Sequence, residues 1–202
     1  FTCIISTIFV LSVAYSMSRM RFKMRKPFMN IAMIIGLFPS FMSMIAVYYI
    51  LRALNLADGA MIRVALIIVF SAGSGAGFYV AKGFFDTISK SLDEAAIIDG
   101  ATRWNVFTKI TVPLSKPIIV YTILTSFMGP WVDFIFGKVI CRADAQYYTV
   151  SIGLWKMLEK EYIDSWYTCF AAGAVVVSIP IAILFLMTQK FYVEGMTGAV
   201  KG

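Results

Sequence analysis

Histidine is absent from this 202-residue chain, and charge of either sign is scarce, with Asp, Glu, Lys and Arg together making up 14% of the residues. A soluble domain carries roughly 25% charged residues, so a water-soluble enzyme, a nucleic-acid-binding module and a disordered tail are all excluded for want of polar surface. Without histidine there is no imidazole to serve as a general base or metal ligand. The three cysteines, Cys3, Cys141 and Cys169, lie far apart with no CxxC pair, so they read as small apolar residues rather than a disulfide framework or a zinc site. A phosphate loop of the form G-x-x-x-x-G-K-[ST] is also missing. The stretch from Gly73 to Gly77 matches it only in glycine content and sits in an apolar run. No catalytic residue, cofactor or metal is expected.

What the chain has in abundance is apolar length: 60% apolar residues and a mean hydropathy of +0.81. Crossing about 30 Å of hydrocarbon takes roughly 20 helical residues, and runs of that order occur near 1–18, 28–51, 60–81, 117–139 and 166–188. A membrane barrel would alternate in segments of about ten residues, whereas Ile31 to Leu37 is apolar on every face. The fold class is therefore all-α, a polytopic transmembrane helical bundle with five visible spans. Gly36, Pro39, the stretch Ser71 to Gly77, Gly129, Pro130, Gly173 and Pro180 lie in these runs, where small residues permit close helix packing or, alternatively, a hinge.

Lys and Arg set the orientation. Twelve of the 18 fall in the first and third connections and the C-terminal segment, with Arg19, Arg21, Lys23, Arg25 and Lys26 crowding the first. The same side holds five of the 11 acids, so the whole net charge of +7 resides there. By the positive-inside rule that side is cytoplasmic, which places Phe1 outside and Gly202 inside and calls for at least one span upstream. The Arg19–Lys26 cluster is also suited to lipid headgroups.

The connection over about 82–116 is too long for a turn and has helical grammar. Ser91-Leu92-Asp93-Glu94 reads as a capping box opening a helix near Leu92. That helix runs through Ala95, Ala96, Ile97 and Ile98, and Gly100 can supply a left-handed end. A second helix opens at Thr102 with Trp104, Phe107 and Ile110 at threefold spacing, is stopped by Pro113, and gives way at Pro117 to the next span. On physical grounds alone this helix-turn-helix is either a lid on its own bundle or a docking knob for a partner.

Glu94-Ala95-Ala96, Gly100, Ile110 and Val112-Pro113 match the signature E-A-A-x3-G-x9-I-x-L-P, with Val112 for Leu the single deviation, and Asp99-Gly100-Ala101 takes the form usual in sugar importers. On these residues the chain resembles the permease subunits of ATP-binding-cassette importers of the sugar-transporting, maltose/maltodextrin type. The likeness extends to Ala14–Arg19 at the end of the first run, to Trp131-Val132-Asp133-Phe134 in place of W-N-[DE]-F, and to the terminal Glu194–Gly202. Two departures stand out: Ser89 where the family commonly has proline, and Val132 where it has an amide.

The resemblance implies a single permease domain over 1–202, short of its first span, in the cytoplasmic membrane of a prokaryote with the C-terminus inside. It implies a coupling element over 86–117, in which Glu94 pairs with a basic residue of a separate ATPase, Ala95 and Ala96 permit close approach, and Asp99, Gly100, Ala101, Ile110 and Pro113 shape the fit. The implied partners are a second permease subunit, two copies of the ATP-binding subunit and an external sugar-binding protein, with no nucleic acid. Asp133, an intramembrane carboxylate, is a candidate substrate contact with Trp131 and Tyr121. The segment 140–163 is the largest external surface and reads either as a binding-protein contact or as an interfacial helix. The segment 189–202, with Gly198, Lys201 and Gly202, is expected to reach the ATPase. The alternatives are a permease for glycerol phosphate, a polyamine or an amino acid, and an uncoupled channel or structural membrane protein.

Overall fold

Backbone N–H and C=O groups in lipid must be satisfied within their own segment, which favours helices. The computed structural model describes residues 1–37, 40–73, 77–142 and 144–199, and the side chains of these except 40, 41 and 192–199. Every regular element among them is helical. In chain order they are α1 (Thr2–Arg19), α2 (Arg25–Gly36), α3 (Ser40–Ala53), α4 (Met61–Gly73), α5 (Phe78–Thr87), α6 (Lys90–Ile98) and α7 (Arg103–Val106). A π turn over Phe107–Thr111 leads to α8 (Val112–Leu114), α9 (Lys116–Val132), α10 (Ile135–Cys141), α11 (Val150–Lys156) and α12 (Ile163–Ala199).

By length and apolarity two segments can cross a membrane alone, Thr2–Arg19 and Ile163–Phe191, and the number rises to four if two bent pairs each count as one span. One pair is α4 with α5, which covers the expected 60–81 run. The other is Arg103–Leu114 with α9, and there the 84° bend separates a surface element from the span proper. The expected 28–51 run is divided between α2 and α3, of which only Met42–Ala53 stands as a short apolar helix. By length and composition the described residues hold two to four candidate spans, which leaves the expected count of five unconfirmed. Pro39 and residues 74–76 of the small-residue stretch lie outside the described residues.

The packing centres on α1. Val10, Leu11, Ala14, Tyr15 and Met17 bury against Phe78, Ala81 and Phe85 of α5 and Ile118 of α9. Ala14 and Ala81, both fully buried, let these backbones approach. A second cluster joins Leu51, Ala57, Ile62 and Ala65 to Ile140, Cys141 and Ile152, and so ties α3 and α4 to α10 and α11. The buried Cys141 thiol donates to the Tyr147 carbonyl at 3.1 Å, and all three cysteines are free thiols.

The glycines divide. Gly173 is a true close approach, since an added Cβ would meet Leu154 Cδ2 at 2.8 Å. Gly36, Gly73 and Gly129 have open space instead, because all three line one cavity rather than a helix contact. Around Pro180, α12 stays helical, and the Trp131 indole Nε1–H donates to the Val177 carbonyl at 3.2 Å, tying α9 to α12 just before the proline.

Candidate coupling element and bundle cavity

The α6–α8 element forms where the sequence places it, but its start is fixed differently. Helix α6 begins at Lys90, and the capping side chain is Ser89, whose hydroxyl accepts from the Ser91 amide at 3.3 Å and lies 2.7 Å from the Ser91 hydroxyl. The expected capping box from Ser91 to Glu94 does not form, because the helix starts two residues sooner than that box requires. The consequence favours function: the Glu94 carboxylate is not tied back to the backbone and lies exposed on the surface.

The far end of α6 follows expectation. Gly100 has φ +85°, its amide donates to the Ile97 carbonyl at 3.0 Å, and the Ala101 amide donates to the Ala96 carbonyl at 2.9 Å. This is a Schellman ending, which a side chain at residue 100 would strain. Thr102 then caps α7 by accepting from the Asn105 amide at 3.2 Å.

Pro113 does not stop the second helix, which runs on to Leu114 and breaks at Ser115. Its effect falls on the preceding turn. Lacking an N–H for the Lys109 carbonyl and crowding it with its ring, Pro113 favours a wider turn, and the Val112 amide bonds back five residues to Phe107. Glu94, Ala95, Asp99, Gly100 and Pro113 are exposed, while Ala96, Ala101 and Ile110 are half-buried. Beside them Ile98 and Trp104 stand 85% and 69% exposed.

The last turn of α1 holds this element, through residues that sequence reasoning did not single out for the role. Arg19, its side chain 4% exposed, ion-pairs through Nε with Asp93 Oδ2 at 3.2 Å. Its Nη2 donates to the Phe85 and Ile88 carbonyls, both at 2.9 Å. The Ser18 hydroxyl donates to Asp86 at 2.6 Å, and Lys82 pairs with the same carboxylate. The Tyr15 hydroxyl donates to the Arg103 carbonyl at 3.3 Å, and its ring lies 4.7 Å from Phe107. The available signal was the spacing of Tyr15, Ser18 and Arg19, which puts three polar groups on one face of an otherwise apolar helix.

The predicted substrate residues do not converge. Asp133 ends α9, and its Oδ2 accepts from the Gly137 amide of α10 at 2.7 Å. It also lines a cavity of about 760 Å³ whose other polar walls are Ser43, Thr125 and Ser126, within the roughly 300–1,000 Å³ of small-molecule sites. Trp131 stacks on Phe127, with centroids 5.2 Å apart, beside a second cavity of about 350 Å³ that shares Ser126 and Pro130 with the first. Its carbonyl accepts from Ser151 of α11 at 2.8 Å. Tyr121 belongs elsewhere, half-buried against the α1–α5 core.

The segment 140–163 folds into a turn and the short helix α11, capped by Thr149, with Ile152 buried beneath it. Gly198 is part of α12, which continues as helix through Ala199, whereas Lys201 and Gly202 lie outside the described residues.

Comparison with known proteins bears on the family. A family model described as the inner membrane component of binding-protein-dependent transport systems matches residues 8–196. The galactooligosaccharides transport system permease protein GanQ of Bacillus subtilis is 36% identical over 204 residues, taking in 100% of this chain and 70% of its own length. The maltose/maltodextrin transport system permease protein MalG of Vibrio vulnificus is 34% identical over 198 residues, 94% of this chain and 64% of its own. The maltodextrin transport system permease protein MdxG of Bacillus subtilis is 33% identical over 189 residues, 93% of this chain and 66% of its own. The chain thus spans about two thirds of the length of these curated relatives.

Proposed function

Because the chain belongs to the family of binding-protein-dependent transport system inner membrane components, we propose that it is a permease subunit of an ATP-driven importer carrying an oligosaccharide of the maltodextrin or galactooligosaccharide kind. The observation that carries the reading is the exposed α6–α8 element, with Glu94 free of intrachain capping and Gly100 held at φ +85°. In this reading a cytoplasmic ATPase seats on Glu94, Ala95, Ala96, Ile98 and Trp104, and its closure on ATP moves the element as a body. The permease converts that movement into alternate opening of the bundle, a two-state coupling between distant sites.

A second permease subunit completes the pathway, and a sugar-binding protein delivers substrate to the segment 140–163. Five crossings with the C-terminal segment on the cytoplasmic side fit the Lys and Arg distribution, and that segment would then lie on the ATPase side. Sugar hydroxyls meet the polar wall of the larger cavity at Ser43, Thr125, Ser126 and Asp133.

The test uses the subunit co-expressed with its transporter partners. Uptake of labelled maltotriose and of labelled galactotriose, each competed by the other and by glycerol phosphate, assigns the substrate class. Gly100→Asp is expected to abolish uptake and release the ATPase subunit on purification while the chain still inserts. Wild-type uptake by that variant would sink the coupling assignment.

A further inference from the structure

The coupling element is joined to the bundle covalently at two points, and both are joints rather than continuous helix. Between α5 and α6 lie only Ile88 and Ser89, with ψ values of 128° and 130°, and between α8 and α9 Ser115 turns the chain through 84°. Extended residues and sharp bends are where φ and ψ changes are absorbed. A push on α6 could therefore be lost in either joint. The third connection crosses no joint: Arg19 grips the carbonyls ending α5 and the Asp93 carboxylate of α6 together, while Tyr15 reaches Arg103 and Phe107 of the second helix.

We infer that Arg19 is a positioning residue that locks α1 to the coupling element, so that α1 is the lever carrying the ATPase stroke into the bundle. Three features suit α1 to this. It is 18 residues of unbroken helix without an internal proline, about 27 Å at 1.5 Å per residue. Its middle is packed on both α5 and α9 through Val10, Leu11 and Ala14. Thr2 and Cys3, about 25 Å along the helix from Arg19, line the smaller cavity beside Phe127 and Trp131. A tilt imposed at Arg19 is therefore delivered next to those cavity walls. The planar guanidinium suits the task, since one group must serve two carbonyls and a carboxylate held in different directions; an ammonium is a single point charge.

This inference rests on the coupling reading of α6–α8, and the experiment separates the two. Arg19→Met, Arg19→Lys, Asp93→Asn and the double variant Arg19→Met/Asp93→Asn are made in the assembled transporter. ATPase-subunit retention, ATP hydrolysis and uptake of labelled maltotriose and galactotriose are then measured. The expected result is retained ATPase and hydrolysis within about threefold of wild type, with sugar moved per ATP falling about tenfold for Arg19→Met and Asp93→Asn and less for Arg19→Lys. The double variant should be no worse than Arg19→Met, because residues acting as one unit are not additive.

Wild-type transport per ATP in both single variants, or additive losses, would overturn the inference. So would release of the ATPase subunit, which would make the pair a support for docking, or failure of both variants to insert, which would make it a folding contact. The coupling reading itself fails by a different result, ATP-driven uptake that survives Gly100→Asp.

Discussion

Among the described residues, the two helices long enough to cross a membrane unaided, α1 and α12, are built on opposite terms. A third of the residues in the α1 window are buried within the chain and its mean hydropathy is 1.4; none of the α12 window is buried and its mean hydropathy is 2.6. A helix surrounded by protein can carry polar groups that its neighbours satisfy, and α1 carries Tyr15, Ser18 and Arg19, each partnered by α5 or the α6–α8 element. A helix whose faces meet lipid or another subunit has no such partners, and α12 presents Val175, Val176, Phe185, Leu186 and Met187 instead. Apolarity therefore rises with exposure, the reverse of the rule in water.

The contrast is broken most strongly by adding volume. Ala14, fully buried between α1 and its neighbours, leaves no room for a larger side chain. Ala14→Leu is expected to cost about 1–3 kcal/mol, lowering the Tm by roughly 2–4 °C for each kcal/mol lost. The matching change on α12, Val176→Leu at a residue 63% exposed, should stay within about 0.5 kcal/mol. Thermal unfolding of the two variants in detergent checks this, and equal destabilisation would mean that α12 is as enclosed as α1.

Next in size is Asp133, on α9, which packs against both helices. Asp133→Ala removes the acceptor for the Gly137 amide and should cost about 1 kcal/mol, as a lost helix cap does. If the carboxylate also meets a sugar hydroxyl, equilibrium binding to the assembled transporter weakens by about tenfold, the size of one charge-assisted hydrogen bond. Asp133→Asn keeps an acceptor for Gly137 and should restore most of both. Unchanged sugar affinity in Asp133→Ala would leave it a cap alone.

Trp131→Phe sharpens the comparison from the α12 side. It keeps the stacking on Phe127 but removes the indole bond to Val177, an expected loss of about 1 kcal/mol or less. The looser α12 should show as faster amide exchange around Pro180, with α1 unaffected.

These cases also show what was legible in the residues. Apolar length is a property of segments, and caps and breakers are marked by single residues, so the helical class and the α6–α8 element could be read from the sequence. Gly100 could be read too, because a left-handed helix ending leaves few choices of side chain. The spacing of Tyr15, Ser18 and Arg19 sets them on one face, but the partners of Arg19 could not be read from it. Only the fold puts Asp93 and the end of α5 beside Arg19 and leaves Arg21 exposed. Gly36, Gly73 and Gly129 look like packing glycines for the same reason, since a small residue facing a neighbour and one facing a cavity are spelled alike. Hydropathy also sums over a bend without registering it, so the 84° turn between Leu114 and Lys116 had to come from the fold.

The smallest expected effect lies at the joint between α5 and α6. Ser89 has φ −57° and Ile88 is extended with ψ 128°, so the backbone already has the shape proline imposes on itself and on the residue before it. Ser89→Ala should cost about 1 kcal/mol for the lost cap. Ser89→Pro loses the same hydroxyl but recovers about 0.4–1 kcal/mol by restricting the unfolded chain, so its Tm should fall within about 2 °C of wild type. Because proline also stiffens one of the two joints, sugar moved per ATP should hold or rise slightly. A marked fall would mean that this joint has to bend during the stroke, and that α5 shares with α1 the work of carrying it.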